Sequence, residues 1–167
     1  VKTRAFNAKP DEVVRILANE TGVLVRPAKP THADGMITGP AAEPYHAVEA
    51  YGGGAWHRAS RMEAIVCPFG VPGDTLYVRE TWAASVYADL PHLHYKADHS
   101  RVCMVHDARE GDITTLALDR INAKSPWRAS VTMPHWASRI DLEVTAVKVV
   151  LRDEVWHWEF EYRRIKP

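Results

Sequence analysis

Pro72-Gly73-Asp74-Thr75-Leu76-Tyr77-Val78-Arg79-Glu80-Thr81-Trp82 is the stretch from which the fold is read. Pro presets φ and Gly supplies a positive-φ residue, so Pro72-Gly73 before Asp74 predicts a tight turn. The residues after it alternate as a strand. Leu76, Val78 and Glu80 point to one face, and Tyr77, Arg79 and Thr81 to the other. Each face thus carries an ionisable residue at its far end, and burying either charge without a partner is costly. Arg79 and Glu80 are therefore expected at the rim of a barrel or in a pocket.

Working outward, Asp11 reads as the N-cap or first-turn acid of a short helix with an apolar stripe of Val13, Val14, Ile16 and Leu17. Residues 19–22 end that helix, with Gly22 expected at its C′ position. Val23-Leu24-Val25-Arg26 reads as a strand stopped by Pro27 and Pro30. Residues 31–64, rich in Gly, Ala, Pro and His, read as a long and mostly irregular insert with one weak hairpin around Met62 to Cys67.

On the other side of Trp82, Ala83 to Pro91 reads as a loop. His94 to Ala97 and Val102 to Val105 read as short strands, and Leu116 to Lys124 as a helical turn or a loop. Pro134 forbids continued central-strand pairing, which predicts a bend and a turn of helix over Pro134-His135-Trp136-Ala137. Ile140 to Val149 alternates cleanly and is the clearest strand. Val155 to Tyr162 alternates as well, with Trp156, Trp158, Phe160 and Tyr162 in opposite phase to the acids. Many short strands and little helix predict a mainly β (α+β) fold. The expected architecture is a small, partly open β-barrel with one or two short flanking helices, one domain over 1–167.

The charge balance narrows the function. Lys plus Arg and Asp plus Glu are 21 each, so the formal net charge is zero. That excludes a strongly basic nucleic-acid coat and leaves only a local patch for phosphate contacts. Two cysteines, Cys67 and Cys103, do not make a disulfide framework, and no long apolar run is present. A soluble, cytoplasmic protein with no membrane partner is expected. Trp82, Trp127 and Trp136 stand beside charged or polar residues, as core rings with a satisfied N–H or as walls that stack a base. His92 and His94, with His99, Cys103 and His106 nearby, are weighed as metal ligands. No carboxylate or Cys pair completes a set, so neither a metal nor a cofactor is expected.

Three blocks carry a family likeness. Cys67 to Trp82, Trp127-Arg-Ala-Ser-Val-Thr-Met-Pro-His-Trp-Ala-Ser-Arg139 and Leu142-Glu-Val-Thr-Ala-Val147 resemble a phage and prophage group of ASCH-domain proteins. These belong to the PUA-like superfamily of small β-barrels. Trp156 to Arg164 is similar to the closing strand of that group. The resemblance implies a pocket for a nucleobase or modified nucleoside, alone or within RNA or single-stranded DNA, in a phage or bacterial host cell. One bacterial branch hydrolyses the amide of 4-acetylcytidine with a Lys, a Thr and a later Glu. Here Thr21 occupies the Lys position and Gly22 the next. The helix that precedes the closing strand in the group has no counterpart between Leu151 and Trp156.

These readings give the candidate site. Glu80 is the candidate general base or base-amine acceptor, and Thr21 is a second catalytic candidate placed by the resemblance. Arg79, Arg128, Arg139 and Arg26 are candidates for carbonyl or phosphate contacts. Trp82, Trp127 and Trp136 are candidate stacking faces, and Ser130 is a candidate polar contact. A hydrolase acting on a nucleoside amide or an RNA phosphodiester is the enzymatic alternative. A barrel used only for protein contact is the third.

Overall fold

The computed structural model describes residues 1–31, 35–41, 46–51, 61–104, 110–119 and 125–165. Among the described residues the fold is mainly β, with two α-helices. The largest sheet has the order β1 (Thr3–Asn7), β6 (Thr75–Arg79), β10 (Asp141–Arg152), β11 (Val155–Arg164) and β2 (Thr21–Pro27). One three-stranded sheet runs β3 (Met36–Pro40), β4 (His46–Tyr51), β5 (Arg61–Val66), and another β7 (Trp82–Tyr87), β8 (Leu90–Tyr95), β9 (Arg101–Cys103). The ends of the large sheet, β1 (Thr3–Asn7) and β2 (Thr21–Pro27), do not pair with each other among the described residues, so it is not a closed barrel. The chain forms two compact units. The first holds Val1–Arg4, Glu20–Leu76 and Leu142–Ile165, and the second holds Ala5–Asn19 and Tyr77–Asp141.

The first unit contains the expected Pro-Gly turn. Asp74 N–H donates to the Val71 carbonyl at 2.9 Å, and Gly73 has φ of 91°, a conformation other residues adopt only with strain. Asp74 is buried and accepts from the Lys2 N–H at 2.8 Å and from Arg4 Nε at 3.4 Å. Burial opposes its charge, but the Lys2 and Val71 amides and Arg4 hold its carboxyl below the usual range. The core is made by alternation. Leu24 of β2, Val144, Val147 and Val149 of β10 (Asp141–Arg152), and Trp158, Phe160 and Tyr162 of β11 (Val155–Arg164) are buried. Phe69 stacks on Phe160 with ring centroids 5.6 Å apart.

The segment between Leu151 and Trp156, where the helix of the resembled group has no counterpart, is a tight hairpin. Arg152 pairs with Val155, and Asp153 and Glu154 close the turn with φ of 47° and 62°. Two consecutive positive-φ residues match the right-handed twist of the flanking strands. The buried acid of β11 is also accounted for. Glu159 lies 2.8 Å from Lys148 Nζ and also accepts from Arg152, and these partners hold its carboxyl below the usual range.

The reading of 31–64 as mostly irregular is corrected for its described residues. β3 (Met36–Pro40), β4 (His46–Tyr51) and β5 (Arg61–Val66) form an antiparallel sheet with Ile37, Ala47 and Ala50 buried. The period is concealed because the buried positions hold small or charged side chains, Gly39, Ala47, Glu49 and Ala50, which carry little hydrophobic contrast. Residues 32–34, 42–45 and 52–60, with the Gly run, lie outside the described residues. Gly22 is corrected too. The helix ends at Ala18, and Gly22 sits in β2, where a Cβ would stand 2.5 Å from the Tyr162 hydroxyl. That position needs Gly for close approach and not for a helix cap.

The second unit begins with α1 (Pro10–Ala18), capped at Lys9 with Pro10 in the first turn. Asp11 is a first-turn acid as read, and the Lys9 N–H donates to Glu12 Oε2 at 2.9 Å. β6 (Thr75–Arg79) carries the chain into this unit with Leu76 and Val78 buried, the phase read from the sequence. The loop expected over Ala83 to Pro91 is instead β7 (Trp82–Tyr87) turning into β8 (Leu90–Tyr95), with Ala88 and Asp89 at positive φ. Two buried alanines, Ala83 and Ala84, made that strand look like a loop. β9 (Arg101–Cys103) completes the sheet. α2 (Glu110–Leu118) lies earlier than the helical turn expected over Leu116 to Lys124, and residues 120–124 lie outside the described residues. Pro134 does start a turn of helix, a 3-10 turn over His135–Ala137, and a second 3-10 turn spans Ser130–Thr132.

Candidate functional site

The core of the second unit is Trp82, Ala84, Leu93, Tyr95, Ile113, Met133 and Ala137, with Leu116 and Trp136 packed against it. Two polar constructions rest on this core. They differ in how completely their donors are used.

The first joins Glu80 to Arg139. Arg139 Nε and Nη2 donate to the two Glu80 oxygens at 2.8 and 3.0 Å. Nη1 donates to Asp98 Oδ2 at 2.8 Å and to Ser100 Oγ at 2.6 Å, and Nη2 donates to Asp98 Oδ1 at 3.0 Å. All five guanidinium N–H groups are thus engaged, and the guanidinium lies 4.2 Å from the centroid of the Tyr95 ring. Glu80 is only 2 % exposed. Burial pushes its carboxyl above the ordinary range, against the pull of Arg139, and the nearby Asp98 charge adds to the rise. Asp98 goes the other way. The Arg139 hydrogen bond, followed by bonds from Ser100, holds it well below the usual carboxylate range. Burial also raises the Tyr95 hydroxyl to about 12, and that hydroxyl donates to the Ala137 carbonyl at 3.0 Å.

The second is a cavity of about 400 Å³. Asp112, Thr115 and Leu116 come from one face of α2, at the i, i+3, i+4 spacing that brings side chains together. Trp82 and Arg128 come from an isolated bridge, in which Arg128 N–H donates to the Trp82 carbonyl at 2.7 Å. Thr132, Pro134 and Trp136 come from the two 3-10 turns and the bend between them. Trp82 and Trp136 meet edge to face at 6.5 Å. The Arg128 guanidinium lies 5.8 Å from the Trp82 ring and spends Nη2 on the Leu116 carbonyl at 2.7 Å. Both Trp82 Nε1–H and Arg128 Nε–H are buried with no acceptor. Thr115 and Thr132 donate their hydroxyl protons to the carbonyls of Gly111 and Ala129, which leaves lone pairs to accept.

The candidate residues divide accordingly. Trp82, Arg128 and Trp136 come together in the cavity wall, whereas Glu80 and Arg139 are not part of its lining. Arg79 donates Nη1 to the Val131 carbonyl at 3.0 Å and so ties down the Ser130–Thr132 turn. Ser130 lies in that turn, but its neighbour Thr132 is the one that lines the cavity. Trp127 is half-buried and takes Lys96 Nζ 5.9 Å from its ring centroid. Thr21 and Arg26 belong to the first unit. There Thr21 lines a shallow cavity of about 330 Å³ with Tyr162, and Arg26 lines one of about 360 Å³ with Lys29 and Phe69. Asp112, Thr115, Leu116, Thr132 and Pro134 were not foreseen. The helical spacing of the first three is the signal that could have found them.

Among the described residues no group of three His, Cys, Asp or Glu side chains is arranged to hold a metal ion. Cys67 is buried, and burial pushes its thiol up to about 11, far from a reactive thiolate. No helix is long and apolar enough to cross a membrane among the described residues. No family model matches the chain, and no curated protein or solved structure matches it either.

Proposed function

We propose that this protein binds a nucleobase, as a modified nucleoside or within RNA or single-stranded DNA, in the cavity walled by Trp82, Arg128 and Trp136. The observation that carries the reading is a pair of buried donors without acceptors, Trp82 Nε1–H and Arg128 Nε–H, in two of the residues that line the cavity. An unmatched buried donor costs about 1–3 kcal/mol, a cost that a ligand acceptor removes. A base edge offers such acceptors as ring nitrogens and carbonyls, and an exocyclic amine suits the Thr115 and Thr132 oxygens. Half-buried Trp136 supplies the stacking face. A cavity of about 400 Å³ is within the usual range for a small-molecule site. The ASCH-like, PUA-type barrel suggested by the three sequence blocks agrees with this use and belongs to the same proposal.

In this reading Glu80 is a positioning residue that holds Arg139. The hydrolase alternative needs a group that moves a proton at the ligand, and both Glu80 oxygens are already held by Arg139. Titration of tryptophan fluorescence with a panel of nucleosides, modified nucleosides and short oligonucleotides is the test, with product analysis on the same samples. Saturable quenching without turnover is the expected result. Turnover abolished by Glu80→Gln in a folded protein replaces this reading with the hydrolase, and neither quenching nor turnover with any member of the panel removes both.

A further inference from the structure

The β7–β8–β9 sheet has a second face. Its register sets Ser85 opposite His92 and Cys103, and Ala83 opposite His94 and Arg101. Strand alternation therefore places Ser85, Tyr87, His92, His94, Arg101 and Cys103 on one face, and Trp82, Ala84, Leu93 and Tyr95 on the core face. Ser85 Oγ is 2.6 Å from His94 Nε2. The His92 and His94 rings are 6.4 Å apart, and His92 Nδ1 lies 2.8 Å from the Leu90 carbonyl, which assigns the proton to that nitrogen. The Arg101 guanidinium reaches to 5.9 Å from the Tyr87 ring, two rows away along the sheet.

Among the described residues, what this face lacks is an acid. Arg139, Arg152 and Arg163 each bond a carboxylate, whereas among the described residues no carboxylate pairs with Arg101, His92 or His94. Burial first, and then the charges of Arg101 and His92, hold His94 below its ordinary range. The titratable groups here are Tyr87 on β7, His92 and His94 on β8, and Arg101 and Cys103 on β9. Asp89 stands in the turn before β8.

We infer that this face is a binding site for a phosphate oxyanion, held by Arg101, His94 and Ser85. A guanidinium fork, an imidazole and a hydroxyl on one face match the several oxygens of a tetrahedral anion. The Ser85–His94 bond can also reverse. With His94 neutral, Ser85 donates to Nε2. An arriving anion favours the imidazolium, which takes its proton from solvent; its Nε2–H then donates to Ser85 Oγ and frees the Ser85 O–H to donate a hydrogen bond to the anion. Free phosphate and a nucleic-acid phosphodiester share this chemistry. The inference stands apart from the base cavity and does not rest on it.

The test follows the imidazole signals of the full chain by NMR through a pH titration, in inorganic phosphate and in chloride at equal ionic strength. Phosphate is expected to raise the His94 midpoint by roughly half a pH unit or more, since an anion beside an imidazolium favours it. Arg101→Gln, an exposed change on an edge strand, is expected to abolish that rise and to weaken phosphate binding about tenfold. Ser85→Ala weakens it by a smaller factor. A midpoint that phosphate does not move, or moves equally in Arg101→Gln, overturns the inference. A parallel arm measures a short oligothymidylate. Loss of oligonucleotide affinity in Arg101→Gln together with the phosphate effect identifies the backbone as the source, and a phosphate effect alone identifies the free anion. Quenching by unphosphorylated nucleosides reports the Trp82–Arg128 cavity separately and is expected to be unchanged in Arg101→Gln.

Discussion

Arg139 and Arg128 lie in the same compact unit, each beside an aromatic ring, yet they are finished to different degrees. Arg139 has all five N–H groups on Glu80, Asp98 and Ser100. Arg128 places Nη2 on the Leu116 carbonyl and 3.7 Å from Asp119 Oδ2, and it leaves a buried Nε–H with no acceptor. A complete polar network in a low-dielectric interior stabilises one arrangement, and an incomplete one carries a cost that a ligand can remove. The contrast assigns Arg139 to architecture and Arg128 to recognition, although both stood equal as candidates in the sequence.

Removing one partner of the complete network is the strongest challenge to this contrast. Arg139→Met leaves Glu80 buried without its cation, so it should cost about 3–5 kcal/mol of stability in denaturant melts. A variant that melts near the wild type would mean that Glu80 is solvated and available after all. Arg128→Met should act on binding instead. It loses a charge-assisted contact, so nucleoside affinity should fall about tenfold or more, while stability changes by about 1 kcal/mol. Equal effects of Arg128→Met and Arg139→Met on stability would erase the distinction. Trp136→Ala removes a stacking face, and about 1–3 kcal/mol of binding free energy should go with it.

Acid titration gives the smallest effect and the finest probe. Asp98 is held below its unfolded value, so the stability it contributes is present above the ordinary Asp pKa of about 3.9 and is lost as pH falls through its folded value. Glu80 is raised, so its own effect has the opposite sign: stability falls as pH rises from its unfolded value through its folded one. Asp98→Asn should therefore flatten the acid side of the stability curve, with little change at neutral pH in the slope that remains. An unchanged acid limb would show that Asp98 is not held by Arg139 in solution.

Much of the fold was legible where side chains differ strongly in size or polarity. The Pro72-Gly73 turn, the phase of Leu76 and Val78, the Pro134 bend and the alternation of β10 and β11 all follow from local rules. Legibility failed where alanine and glycine carry the pattern, in β7 around Ala83 and Ala84 and in the β3–β4–β5 sheet. It also failed at Asp153-Glu154, where two positive-φ residues other than Gly make a turn that composition does not announce. In the site, Trp82, Arg128 and Trp136 were legible as amphipathic groups near one another in two blocks. Asp112, Thr115 and Leu116 were not, because their place depends on α2 packing against a sheet that was itself misread.

The sequence by itself determined a mainly β chain, a zero formal charge that limits phosphate contacts to local patches, and the set of residues from which a site is made. Only the tertiary structure decided which of those residues are spent on one another. Donor and acceptor capacity belongs to residue type, but whether a given N–H is satisfied depends on distances across elements far apart in the chain. Arg139 meets Glu80 across 59 positions and Asp98 across 41, and that closure commits all five of its N–H groups within the protein.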